Sequence, residues 1–202
     1  MFSVKASMKR FAIVGMLAAS TMLTGCASFY VDTATKEVPV AQFKKPAHPK
    51  DVQLAFEFQT KGAPNSRATA MLQGQVTDQI VGSGLFALSN QGTQNAMLNI
   101  SINNVPVDGQ NPAAQGFVTG LTFGLVGSAV TDGYICTVSY LPPGQTKPIV
   151  TTAKHAVHVT LGNASAPSTA QKSASAEDAV RKMAREIVSN ALNDLANAPE
   201  FQ

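Results

Sequence analysis

The chain has 202 residues, 45% of them apolar and 13% charged, with 15 Lys and Arg against 12 Asp and Glu for a formal charge of +3. So large an apolar share excludes a disordered polyelectrolyte. Three of the bases, Lys5, Lys9 and Arg10, precede a short apolar run at the N-terminus, and the remaining 12 are balanced by 12 acids, so there is no net positive field of the kind nucleic-acid binding needs.

Residues 1 to 25 have the layout of a secretory signal: a basic start, an apolar stretch from Phe11 to Met22, then small residues. The apolar stretch falls short of the ~20 residues that a spanning helix needs, so it is not a transmembrane anchor. Met8-Lys9-Arg10-Phe11 would itself make a suitable start, which leaves Met1 to Ser7 as an upstream extension without altering the mature chain.

Leu23-Thr24-Gly25-Cys26, directly after this run, resembles the lipobox of bacterial lipoproteins. The resemblance implies cleavage after Gly25, a diacylglyceryl group on the Cys26 thiol and acylation of the new amine. It implies no cofactor besides that covalent lipid. Each buried methylene contributes about 0.8 kcal/mol, so two or three chains hold a protein on a membrane where one does not. In the sorting pattern of such lipoproteins an Asp after the cysteine implies retention at the inner membrane. Ala27 stands there instead, which implies the outer membrane with the domain facing the periplasm.

Residues 26 to 50 contain Pro39, Pro46 and Pro49 among scattered Lys and read as a lipidated, extended tether. A single domain is expected over 51–202. Val52, Leu54, Phe56 and Phe58 alternate with Gln53, Ala55, Glu57 and Gln59 as a half-buried strand. Ser66 is placed to cap a helix with Ala68, Leu72, Val76 and Ile80 at four-residue spacing, and Gly82 and Gly84 end it before a short strand, Leu85 to Leu88. Leu98, Ile100 and Ile102 mark another strand that stops at Pro106. Tyr134 to Leu141 and Ile149 to Leu161 read as the arms of a hairpin turning at Pro142-Pro143-Gly144-Gln145. Asn163 to Ala174 reads as a linker. Ser175 and Asp178 form a capping box ahead of an amphipathic helix carrying Val180, Met183, Ala184, Ile187, Val188, Ala191, Leu192 and Leu195. These elements predict an α+β domain, an antiparallel or mixed sheet with two main helices on one face. In order and placement this resembles small periplasmic α/β modules of other bacterial lipoproteins, such as the penicillin-binding-protein activator and the curli secretion subunit.

Gly109 to Thr131 carries no charge, and within it Gly116, Gly120 and Gly124 recur every fourth residue, with Gly127 close behind. Such spacing lets apolar helices approach closely in lipid, so one reading is a segment for membrane contact or self-association. The other is a buried hairpin or crossover, since the apolar part, Phe117 to Val130, is too short to span.

Catalytic constellations are harder to find. Cys136, mid-strand between Ile135 and Thr137, reads as buried and inert. His155 and His158 fall on opposite faces of a strand and do not make a metal pair, while His48 lies in the tether. His155 reads as a hydrogen-bonded core or edge residue and His158 as a solvent one. Gly82-Ser83-Gly84 reads as a helix ending rather than a phosphate cradle, and Asp132 with His155 lacks a serine in an elbow motif. The mixed charges Glu177, Asp178, Arg181, Lys182, Arg185 and Glu186 read as a solvated helix face. The function expected is a non-enzymatic envelope component that binds another envelope protein or itself. The alternatives are a membrane-inserting oligomer using 116–131 and, third, a periplasmic enzyme.

Overall fold

The computed structural model describes residues 27–89, 96–106 and 129–201. Among them the chain runs β1 (Ala27–Asp32), β2 (Lys50–Thr60), β3 (Ala63–Pro64), α1 (Ser66–Gly82), β4 (Phe86–Leu88), β5 (Ala96–Pro106), β6 (Ala129–Leu141), β7 (Ile149–Leu161), β8 (Ala170–Ser173) and α2 (Ala176–Asn197). Short 3-10 turns lie at Val40–Gln42 and Pro199–Phe201. The strands form one mixed sheet in the order β3-β2-β5-β6-β7-β1-β8, with β4 alongside β2. β2 and β5 are parallel, whereas β5, β6, β7, β1 and β8 pair antiparallel in turn. The fold is therefore α+β, with the helices against one face.

Alternation decides that face. On β5, Leu98, Ile100 and Ile102 are buried while Asn99 is exposed and Ser101 and Asn103 are half-buried. Register carries the buried row across the sheet, with Ile102 opposite Cys136 on β6 and Cys136 opposite Ala153 on β7. α1 turns Leu72, Val76 and Ile80 inward from four-residue spacing. Its cap is Asn65, one residue before the expected Ser66, because the Asn65 side chain accepts from the Ala68 N–H. Ser83 closes α1, and Gly84 follows at φ +72°, a backbone conformation that glycine adopts without strain. α2 starts as expected: Ser175 Oγ accepts from the Asp178 N–H and donates to its carboxylate, while Glu177 and Asp178 complement the helix dipole. Gln75 and Gln79 of α1 donate to the Arg181 and Arg185 carbonyls of α2, both at 2.8 Å, and so lock the helices side by side. Phe86, Tyr140 and Phe201 close one end of the core with ring centroids 5.5 to 5.6 Å apart.

Two segments expected to be irregular belong to the sheet. The tether assigned to 26–50 is corrected at its start: β1 takes up Ala27–Asp32 and lies between β7 and β8, with Val31 fully buried. Phe29 and Val31 point to the core while Tyr30 and Asp32 point away, an alternation that outweighs the proline-rich residues downstream. The linker assigned to 163–174 likewise contains β8, whose pairing with β1 needs no apolar side chains because it sits on the edge. β6 also starts at Ala129, five residues before the expected Tyr134. Because Val31 is core, Val31→Ala is expected to cost about 2 kcal/mol from two lost methyl groups and the cavity they leave. Urea unfolding measures this, and an unchanged midpoint would mean that residues 27–32 behave as a free tether.

Candidate functional site

β1 starts at the end of the sheet where β5 stops and β6 begins. Ala27 faces Leu161 in the β1–β7 register, and Phe29 faces Val159. On the other side of β7, Val130 faces Val159 and Ala129 faces Thr160. Val130, Val159 and Phe29 thus form one apolar row across three strands, with Leu161 and Ala27 in the next. Val130 and Leu161 are 58% and 56% exposed, the most exposed of the large apolar side chains among the described residues. Pro106, the last residue of β5, pairs with Asp132 near the start of β6, so the chain leaves at Pro106 and returns at Ala129 at this same end. Cys26 and the glycines Gly116, Gly120, Gly124 and Gly127 lie outside the described residues.

Next to this row, β7 carries two buried histidines pointing in opposite directions. His155 faces the helices: its Nδ1 accepts from the Ala156 N–H at 2.8 Å, which places the ring proton on Nε2, 2.7 Å from Glu186 Oε2. His158 faces away from them, with Nδ1 2.8 Å from Thr131 Oγ1 and Nε2 3.3 Å from Asp32 Oδ2. The second Asp32 oxygen accepts from the Ala34 N–H at 2.7 Å. His158 is 1% exposed, so its expected solvent position is corrected: neighbours on β6 and β1 supply both of its ring nitrogens with partners, and that makes burial tolerable. Opposite faces also keep the two histidines from sharing a ligand. Among the described residues no group of three or more His, Cys, Asp and Glu side chains comes together as a metal site.

Hydroxyl, imidazole and carboxylate follow in the order of a nucleophile relay through Thr131, His158 and Asp32. The ring stands the other way round from the serine triad, with the hydroxyl on Nδ1 and the carboxylate on Nε2. What the geometry provides is a strut that ties β6, β7 and β1 together. Cys136 is fully buried, as expected, and desolvation pushes its thiol up to about 12, which disfavours the nucleophilic thiolate.

Sequence reasoning missed Asp32, Thr131 and Glu186 as partners. Glu186 directly precedes Ile187 and lies three residues after Met183, on the border of the apolar stripe, and this position was its signal. Among the other concave features is a groove of about 760 Å³ between α1 and α2, whose lining includes Met71, Gly74, Glu37, Asp78, Arg181 and Arg185. His48 is not among the residues lining either site. Comparison with protein-family models and with curated proteins finds no match for this chain.

Buried Asp32 and half-buried Asp132 have opposite pH signatures. At Asp32 burial raises the carboxyl, but the His158 hydrogen bond, the Ala34 N–H and the pull of the two imidazoles outweigh it and hold the group below its ordinary 3.8. Its stabilisation is therefore present above that value and lost as pH falls through the lowered one. At Asp132 burial dominates, only partly offset by a hydrogen bond with Asn104, and the carboxyl is raised. Its contribution is favourable below 3.8 and is lost as pH rises through the raised value. Thermal melts should show Asp32→Asn destabilising and Asp132→Asn stabilising at neutral pH, with both differences shrinking by about pH 3. Shifts of one sign in the two variants would contradict this assignment.

Proposed function

We propose that the protein is a lipoprotein of the outer membrane, anchored through acylated Cys26, with its α+β domain in the periplasm as a non-enzymatic binding or assembly component. The observation that carries this reading is the junction itself: Leu23-Thr24-Gly25-Cys26 closes an apolar run, and the next residue, Ala27, already belongs to the sheet. Lipid on Cys26 would then place a folded domain directly at the membrane. Cys26→Ala is expected to abolish incorporation of labelled palmitate and to release the chain from the membrane fraction. Retention at the membrane without label would overturn the reading.

The groove between α1 and α2 is the surface assigned to the partner. It combines a Met71 and Gly74 floor with charges of both signs, which suits a protein surface better than a polyanion. A Cβ added at Gly74 meets nothing within 4 Å, so a photoreactive side chain fits there without disturbing the helix. In-cell crosslinking from position 74 is expected to capture a second envelope protein or a second copy of the chain. Absence of any protein adduct from correctly anchored material would remove the groove from the proposal.

A second reading, the membrane-inserting oligomer, is favoured by one observation. Pro106 and Ala129, which flank 107–128, lie at the same sheet end as Ala27.

A further inference from the structure

We infer that the sheet stands end-on against the bilayer, with Val130 and Leu161 in the headgroup layer beside the anchor. This deepens the lipoprotein reading and rests on it. Consecutive Cα atoms are about 3.8 Å apart, so Cys26 lies within one such step of Ala27 whatever its own conformation. Ala27 in turn is fixed by its place in the β1–β7 ladder, directly opposite Leu161. Paired Cα atoms across antiparallel strands are about 5 Å apart. The headgroup layer on each side of a bilayer is roughly 5 to 8 Å deep. The Cα atoms of Cys26 and Leu161 are therefore no more than about 9 Å apart, so an acyl anchor on Cys26 keeps Leu161 within little more than one headgroup depth of it.

The side chains at this end match the placement. Val130 and Leu161 are more than half exposed, and Val159 and Phe29 continue the apolar surface between them, so the exposed apolar area of this end adjoins the point where the lipid is attached. Strand direction sets the rest of the pose. β7 runs 13 residues from Ile149 to Leu161, and at about 3.3 Å per residue the Pro142–Gln145 turn stands ~40 Å from the membrane. The basic residues Lys50 and Lys147, at the start of β2 and beside that turn, belong to the distal end. The occupant of the apolar row is thus the interface of the bilayer that holds the acyl chains.

The test uses the full lipidated chain in vesicles of phosphatidylethanolamine and phosphatidylglycerol that contain nitroxide-labelled lipid. Val130→Cys, Leu161→Cys and, at the distal turn, Gln145→Cys each receive a small fluorophore. Labelling is selective, because the lipid blocks Cys26 and Cys136 is fully buried. The expected result is several-fold stronger quenching by nitroxide lipid at positions 130 and 161 than at 145. Equal weak quenching at all three, on protein that still floats with the vesicles, overturns the end-on pose and leaves the anchor intact. Stronger quenching at 145 overturns it in favour of contact through the opposite end of the sheet. Shielding of 130 and 161 from aqueous iodide without quenching by nitroxide lipid overturns it in favour of a protein contact, a second copy included. Failure of the chain to float at all removes the anchor and, with it, this inference.

Discussion

The antiparallel ladder between β1 and β7 is the constraint on which the rest of the molecule depends. It brings the first described residues into the sheet, gives the edge strand β8 something to pair with, and buries Val31 against α2. Without it the edge would fall on β7, and His158 and Asp32 would face water rather than each other. A chain that looks like a domain on a leash is a domain whose N-terminal strand is part of its structure. If Cys26 is the anchor proposed above, attachment and fold are not separate parts of the chain.

Buried polar groups reinforce that ladder from both faces. On one, His155 and Glu186 join β7 to α2; on the other, Thr131, His158 and Asp32 join β6, β7 and β1. Each ring nitrogen has a partner, so the histidines add directional bonds without leaving a donor or acceptor stranded. Such pairs do more for register than for net stability, because desolvating the carboxylates offsets much of what the bonds contribute. Register matters most here, since a one-residue slip of β1 would turn Val31 outward and Asp32 toward the core.

Most of the fold was legible because period and caps agreed. β2 and β5 alternated cleanly, the β6–β7 hairpin had its turn marked by Pro142-Pro143-Gly144, and α2 had both a capping box and an unbroken apolar stripe. β1 and β8 were not legible for a shared reason. Each is short, and each is held by pairing to strands far along the chain, which local patterning does not register. The polar site was half legible. His155 sat on the apolar side of an alternating strand, but His158 fell on the polar side, and its burial comes from Asp32 and Thr131, neither of which adjoins it in sequence. The resemblance to a lipobox rests on four residues; the exposed apolar row at the same sheet end could not be read, because Val130 and Leu161 meet only through register.

The distance along the chain between β1 and its partners sets an order of events. Thr33 bonds to Thr169 across 136 residues, and β1 closes against strands made near the end of synthesis. Pairing over such separations is slow, since the intervening chain must be gathered first. On the proposed export route, β1 crosses the membrane among the first segments of the domain and waits for nearly all the others. During that interval the peptide bond after Gly25 and the thiol of Cys26 adjoin an extended strand, the form in which processing enzymes can take hold of them. Once β7 and β8 arrive, the same strand is locked away. On that route the topology acts as a clock, leaving Ala27, the neighbour of the residue proposed for modification, unpaired until β7 and β8 arrive.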